Sequence, residues 1–204
     1  MPTRMNVSQR MAEILEAACR VIARGGTHGL RMSAVASEAG VSSALLHYYF
    51  ATREELLARA FEYAENRAHA RAQAELALCS TGAERLARFL LLYLDEEPAF
   101  RESWVLWNEM WTSALFDDNV RPRVSEAYTR WLAWVEELIC EGQADGSIPD
   151  TSPPAEVGLL LAASVDGLGS LLLLGLTTRE QARELVLRSL ELALGVVPAG
   201  RAPR

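Results

Sequence analysis

The chain has 204 residues, of which 50% are apolar and 23% are charged, and its formal net charge at pH 7 is -7. This composition is typical of a globular protein and excludes an intrinsically disordered chain. Residues 1–50 carry five arginines against three glutamates, a net charge of +2, so that the remaining residues carry -9. Positive charge gathered at one end of an acidic chain is compatible with nucleic-acid binding by that end.

Helical periodicity, with no alternating β-branched runs, predicts an all-α protein of about nine helices. The first helix is predicted from about Ser8 to Arg24, where apolar residues recur every three or four positions and Gly25-Gly26 follow. It is expected to cover a helix-turn-helix motif, in which two short helices span about Ser33–Ala39 and Ser43–Tyr49.

The turn of this motif is predicted at Gly40, because glycine accepts a positive φ angle without steric cost. Ser42 is expected to cap the following helix through its hydroxyl group. Helical spacing places one side of that helix in the core, at Leu45, Leu46, Tyr49 and Phe50. The opposite face lacks carboxylates, which suits insertion into the major groove of DNA, and comprises Ser43, Ala44, His47 and Tyr48. An ordinary helical hairpin with a purely structural role is the alternative.

Two Thr-x-x-Glu capping boxes predict the next helix starts, one at Arg53 and one at about Glu84. The fourth helix is predicted to end near Leu78 and the sixth to span about 99–115. Ser152 is predicted to cap helix 8, with a proline at the first helical position. A capping box at Thr178 predicts the start of helix 9. The predicted organisation is a DNA-binding domain at 1–52, a connecting helix at 53–80, a ligand-binding and dimerisation domain at 81–196, and a disordered tail at 197–204.

All five tryptophans fall on predicted helix 6 and on predicted helix 7, which is expected at about 119–144. An aromatic stripe is usually part of a core, but large flat walls with a few polar groups also describe a small-molecule pocket. Both interpretations remain open from the residues alone. The candidate ligand-binding residues are Phe61, Tyr93, Trp104, Trp107, Asn108, Trp111, Trp131, Trp134 and Asp166. With a carboxylate such as Glu109 or Asp166 these rings suit an organic cation, whereas without one they suit planar aromatic or apolar molecules.

The segment from Val157 to Leu176 is nearly all apolar and long enough to span a membrane. Asp166 lies at its middle, where a charge is costly in lipid, so a helix buried against a partner subunit is the preferred interpretation. Helices 8 and 9 are predicted to form a four-helix bundle across the two-fold axis of a homodimer. The candidate interface residues are Leu160, Leu168, Leu171, Leu172, Leu185 and Leu192.

An enzyme is the main alternative class. The three cysteines, Cys19, Cys79 and Cys140, are isolated in sequence and match no zinc or redox motif. They are expected to be reduced, buried thiols of a cytoplasmic protein. The three histidines likewise form no nucleophile-base or metal-ligand spacing, so that neither catalysis nor a cofactor is predicted.

The segment GLRMSAVASEAGVSSALLHYYFATREELL resembles the DNA-binding domain of the TetR family of one-component bacterial repressors. This resemblance implies that Ser43, Ala44 and His47 face bases. It also implies that the DNA backbone or flanking bases are met by Ser33, Tyr48, Tyr49 and Arg53, and Arg31 is a further candidate contact. The chain departs from the family pattern at Leu45, which replaces a common threonine and removes one phosphate contact.

Residues 81–195 resemble the C-terminal domain of the TetR subgroup that includes repressors of choline-to-betaine metabolism. The matching pieces are LWNEMWTSAL, EGQADGSIPD and SVDGLGSLLLLGL. The resemblance implies a homodimeric repressor that binds a palindromic double-stranded DNA operator and is released by a small-molecule effector whose identity it does not give. A transcriptional activator, or a helical ligand-binding protein without a repressor role, is the alternative.

Overall fold

The computed structural model describes residues 7–94 and 98–195, so that the predicted tail at 197–204 lies outside the described residues. The described residues form nine α-helices and no strand, which confirms the all-α prediction. The helices are α1 (Val7–Gly29), α2 (Met32–Glu38), α3 (Ser43–Tyr49), α4 (Arg53–Leu76), α5 (Gly82–Leu92), α6 (Pro98–Phe116), α7 (Arg121–Asp145), α8 (Pro154–Leu173) and α9 (Arg179–Leu194).

The helices belong to two compact units. The first contains the described residues up to His69 together with Arg101–Arg121, and the second contains the described residues of 70–100 and 122–195. Most of α6 therefore belongs with α1, α2 and α3, and the predicted boundaries after residues 52 and 80 do not coincide with this division. The sequence marks where helices begin and end, but not which helices pack together.

Helix α1 is longer than predicted and is kinked at Gly26, whose φ and ψ angles are 63° and -174°. The predicted interruption at the two glycines is therefore present, and helical structure resumes beyond it as far as Gly29. A Cβ atom at Gly26 would lie 2.8 Å from a carboxylate oxygen of Glu109. Glycine is thus required here by the backbone angle, and the Glu109 carboxylate lies against the position that a Cβ atom would occupy.

The helix-turn-helix forms as its residues predict. Gly40 has a φ angle of 64°, and the Oγ atom of Ser42 accepts a hydrogen bond of 3.2 Å from the backbone N–H of Leu45. Leu46 of α3 and Phe50, which follows α3, are buried together with Val35 and Ala36 of α2. The motif is therefore fixed by a cap, a turn glycine and a small apolar core shared with α1.

Two other helix starts differ from the sequence prediction. Helix α5 begins at Gly82, where Thr81 is the cap, and not at Glu84. The cap of α8 is Pro153 and no side chain supplies a capping hydrogen bond, so the assignment of Ser152 as its cap is wrong. The reason is that a capping serine accepts hydrogen bonds from the first backbone N–H groups of a helix, and the prolines at 153 and 154 have no N–H group to donate.

Helices α5 and α7 approach each other unusually closely at Gly82 and Gly142. A Cβ atom at Gly82 would lie 2.2 Å from the backbone nitrogen of Gly142. This approach lets the N–H of Gly82 donate to Asp145 Oδ2 at 2.7 Å and the N–H of Ala83 donate to Ser147 Oγ at 3.0 Å. The end of α7 thereby satisfies backbone donors at the start of α5.

The Asp145 carboxylate is expected to make stability depend on pH. Hydrogen bonds from Ser147, and then from the N–H of Gly82, hold the pKa of Asp145 below its ordinary value. A lowered pKa in the folded state stabilises the fold above the ordinary carboxylate pKa, and this contribution is lost as the pH falls through the lowered value. In urea unfolding from about pH 7 to about pH 3, Asp145→Asn should therefore lose less stability than the wild type. Parallel curves for the two proteins would contradict this role.

Candidate DNA interface and effector site

Most of the residues predicted to contact DNA are exposed on α3 and around the start of α2. Tyr48 is 81% exposed. Tyr49 is half-buried and meets the Tyr48 ring edge-on at 5.4 Å, which orients that ring outward. The other predicted contact residues that are exposed are Arg31, Ser33, Ser43, Ala44 and His47. A face of small, hydrogen-bonding and aromatic groups without a carboxylate is chemically suited to base edges and phosphates.

Arg53, which is predicted to contact the DNA backbone, makes hydrogen bonds within the chain. Its Nε atom donates to the backbone oxygen of Leu30 at 2.9 Å, and its Nη2 atom donates to the backbone oxygen of Thr27. The side chain is half-buried in this position. Arg53 therefore ties the start of α4 to the Thr27–Leu30 segment, which leads directly into α2.

The same segment is held from a second side by α6. The Oε2 atom of Glu109 accepts hydrogen bonds from the backbone N–H of Thr27 at 2.8 Å and from its hydroxyl at 2.6 Å. The hydroxyl hydrogen bond is the main reason that the pKa of Glu109 lies below its ordinary value. Sequence reasoning considered Glu109 only as a ligand carboxylate, because a contact between residues 82 positions apart leaves no local signal.

The aromatic residues of α6 lie in the first unit. Trp104 is buried, and the Trp107 ring meets Phe61 of α4 edge-on at 5.0 Å. The Trp111 ring lies 6.4 Å from that of Trp107 and is partly exposed. Asn108 is exposed and its amide donates to the backbone oxygen of Trp104 within the same helix.

A second group of rings lies in the second unit and is called here the aromatic cluster. Its members are Phe89 and Tyr93 at the end of α5 and Tyr128, Trp131 and Trp134 of α7. Phe89 is fully buried and its ring lies 4.6 Å from that of Trp134 and 5.8 Å from that of Trp131. The predicted set included Tyr93, Trp131 and Trp134 but missed Phe89 and Tyr128. Two spacings in the sequence could have identified them: Phe89 lies four residues before Tyr93, and Tyr128 lies three residues before Trp131, so each pair shares one face of a helix.

Asp166 of α8 joins this cluster through Tyr128. The Tyr128 hydroxyl donates a hydrogen bond of 2.7 Å to Asp166 Oδ2. Burial raises the pKa of Asp166, an effect only partly offset by this hydrogen bond, and burial also raises the pKa of Tyr128. Among the described residues no basic side chain pairs with Asp166. The second unit thus contains a half-buried carboxylate that is hydrogen-bonded to one ring of the aromatic cluster and is paired with no described basic side chain.

The cysteines were also compared with the patterns expected of a metal or redox site. In the described ranges no three His, Cys, Asp or Glu side chains are grouped to hold a metal ion. Cys19 is buried, burial raises the pKa of its thiol to about 12, and the thiol donates to the backbone oxygen of Ala60. Cys140 is exposed, contrary to the expectation that all three thiols are buried, because it falls on an outward position of α7.

The candidate dimer residues lie on an apolar surface of α8 and α9. Leu160, Leu171, Leu185 and Leu192 are exposed, and Leu168 and Leu172 are half-buried. Leu159, Leu174 and Leu176 extend the same exposed apolar set. Helix α8 is also long and apolar enough to cross a membrane, a property shared by core helices of water-soluble proteins, and 33% of its most apolar stretch is buried.

Comparison with known protein families gives a match for the helix-turn-helix region and another for the C-terminal region. Residues 14–60 match the family of bacterial regulatory proteins of the tetR type, and residues 82–195 match the C-terminal domain of BetI-type transcriptional repressors. The chain belongs to the TetR family of bacterial transcriptional regulators. Within that family, its C-terminal domain is of the BetI type. The resemblance drawn from the sequence is thereby confirmed.

Individual relatives agree with this assignment. The HTH-type transcriptional regulator BetI of Rhizobium meliloti (strain 1021) is 30% identical over 123 residues, and the match spans 60% of the length of each chain. A TetR-family transcriptional regulator from Rhodococcus sp. is 32% identical over 92% of this chain and 100% of its own, with a TM-score of 0.81. A transcriptional regulator from Saccharomonospora viridis in complex with choline is 32% identical over 92% of this chain and 98% of its own, with a TM-score of 0.83.

Proposed function

We propose that this regulator is a homodimeric repressor that binds a palindromic operator in the cytoplasm and is released from it by an organic cation of the choline type. The observation that carries the choice of effector is Asp166, a half-buried carboxylate with no basic partner among the described residues, beside the aromatic cluster. The choline complex of the Saccharomonospora viridis regulator supports the same chemistry.

The aromatic cluster and Asp166 provide the two attractions that a quaternary ammonium group needs. Ring faces attract cations through their quadrupole, most strongly where water is excluded. A carboxylate held in a half-buried position without a basic partner is stabilised when a cation binds beside it. The hydrogen bond from Tyr128 fixes the carboxylate orientation without neutralising its charge. A permanent cation that cannot lose its charge on burial therefore fits this site.

Isothermal titration calorimetry of the full chain with choline tests this assignment directly. Saturable binding at one site per chain is expected, and it should weaken in the presence of tetramethylammonium as a competitor for the same ring faces. Choline that gives no binding heat and no shift of the thermal unfolding midpoint would overturn the effector assignment.

The apolar surface of α8 and α9 supports the homodimer. Leucines that are exposed on a single chain, such as Leu160 and Leu192, are the kind of side chain that a second copy covers. A two-fold dimer also places two α3 helices for successive half-sites, which explains how one short helix can contribute to operator-specific binding. A dimer mass in light scattering of the full chain is the expected result.

The Thr27–Leu30 segment supplies the link by which the effector state changes DNA affinity. Arg53 of α4 and Glu109 of α6 both hold this segment, which fixes the start of α2. Helix α4 continues from these contacts into the second unit. We expect one state of the protein to bind the operator and another, in which α4 or α6 is held differently, to bind the effector better. The effector then lowers operator affinity by at most the ratio of its affinities for these two states.

His47 and Tyr48 are expected to contribute to DNA binding in different ways. Both are exposed on α3. His47 is the residue that we expect to face bases, and the Tyr48 hydroxyl is suited to a phosphate. Tyr48→Phe should weaken binding to every duplex to a similar extent, whereas His47→Ala should cost about 1–3 kcal/mol on the preferred operator and relax the choice of base at one position.

Fluorescence anisotropy with the chain's own upstream duplex and its single-base variants, at two salt concentrations, separates these effects. Ser37→Ala, at an exposed position of α2 outside the predicted contact set, is the matched control. The division of roles fails if His47→Ala and Tyr48→Phe weaken all duplexes equally.

A further inference from the structure

The indole N–H of Trp131 is a buried donor with no hydrogen-bond acceptor in the part of the chain that the structure describes. Leaving a buried donor unpaired is costly, so such a donor in a folded protein requires an explanation by a ligand, an ordered water or strain. The donor belongs to the aromatic cluster, and this location points to a ligand.

The neighbours of the Trp131 ring are aromatic. The rings of Phe89 and Tyr128 both lie 5.8 Å from it, at interplanar angles of 28° and 26°, and stack against the indole. Tyr93 meets it at 5.4 Å and 88°. Among these neighbours Tyr128 carries a hydroxyl group, which donates its hydrogen bond to Asp166. The N–H lies at the edge of the indole and has no acceptor among these neighbours, so it is the polar group of the cluster that is left to pair with a bound molecule.

We propose that Trp131 donates a hydrogen bond from Nε1 to an oxygen atom of the effector and so determines which quaternary ammonium compounds act on this regulator. The inference rests on the proposed function, since it assigns a second contact to the same effector site. The cationic group is attracted by Asp166 and the ring faces, which recognise charge but not the rest of the molecule. An acceptor oxygen on the effector satisfies the buried donor, and an alkyl group in the same position leaves it unpaired.

Choline and propyltrimethylammonium form the ligand pair that tests this proposal, because they differ by a methyl group in place of the hydroxyl. Calorimetric titration of the wild-type chain should give an affinity for choline about tenfold higher, since a site that loses its hydrogen-bond partner leaves a polar group unpaired. Trp131→Phe retains an aromatic ring for stacking, and it should bind both cations with similar affinity, mainly through a loss of choline affinity.

The outcomes separate the proposal from the function on which it rests. Equal affinities of the wild-type chain for the two cations would overturn the role of Trp131 while leaving the cation site intact, and would indicate that a water accepts from the indole. Binding of neither cation would overturn the proposed effector and the role of Trp131 together.

The indole proton itself gives a measurement that does not depend on the stability of the variant. In an ¹⁵N spectrum of the tryptophan-labelled chain, the Nε1–H signal of Trp131 should shift downfield on addition of choline and should move far less with propyltrimethylammonium. Assignment comes from the signal lost in Trp131→Phe, or in Trp131→Tyr if the first variant fails to fold. An unchanged Trp131 signal at saturating choline would contradict the hydrogen bond.

Discussion

Asp166→Asn is expected to lower the affinity for choline about a hundredfold, because it removes the negative charge of the carboxylate that is hydrogen-bonded to Tyr128 while keeping the shape of the side chain. The asparagine oxygen can still accept the hydrogen bond from Tyr128, so the ring arrangement is retained. The change therefore isolates the charge of the carboxylate from its role as an acceptor. Calorimetry with choline measures the loss, and near-ultraviolet circular dichroism checks that the aromatic packing is unchanged.

The pH dependence of choline binding provides the matched control. Burial raises the pKa of Asp166, and only the ionised carboxylate attracts the cation. The wild-type affinity should consequently fall as the pH decreases through this raised pKa, whereas choline itself does not titrate. Asp166→Asn should show a flat profile over the same range. An Asp166→Asn variant that binds choline as tightly as the wild type would place the cation elsewhere.

Gly82→Ala is expected to destabilise the protein by about 3 kcal/mol, at the upper end of the typical cost of forcing extra atoms into a packed site. The added Cβ atom would lie 2.2 Å from the nitrogen and 2.4 Å from the Cα atom of Gly142. Both are backbone atoms, so relief requires α5 and α7 to move apart. That movement would also strain the hydrogen bond from the Gly82 N–H to Asp145.

Gly25→Ala is the matched control for this substitution. Gly25 lies in α1, and a Cβ atom there would have no heavy atom within 4 Å. The change should leave stability unaltered or raise it by up to about 1 kcal/mol, because alanine favours a helix more than glycine does. Urea unfolding compares the two variants. If Gly82→Ala were as stable as Gly25→Ala, the close approach of α5 and α7 would not exist in solution.

The parts of the fold that local chemistry determines are those that the sequence predicts well. The turn at Gly40 and the cap at Ser42 each depend on residues within a few positions, and both form as expected. The grouping of α6 with the helix-turn-helix depends instead on the contact of Glu109 with Thr27. Periodicity shows that α6 has an apolar face, but not which helix that face meets.

The candidate effector site illustrates the same limit. Tryptophan spacing alone joins the rings of α6 and α7 into one set, yet the structure assigns them to different units. Phe89 and Tyr128 contribute to the aromatic cluster but are common residue types, so they attract little attention in a sequence. The unpaired N–H of Trp131 depends on the positions of neighbouring atoms, which no sequence pattern shows.

The measurement that tests the proposed function most directly is the affinity of the wild-type chain for labelled duplex from its own upstream region, with and without saturating choline. A scrambled duplex at the same salt concentration serves as the control for non-specific binding. We expect selective binding of the upstream duplex that weakens at least about tenfold when choline is added. Selective binding that is identical with and without choline would contradict release by the cation.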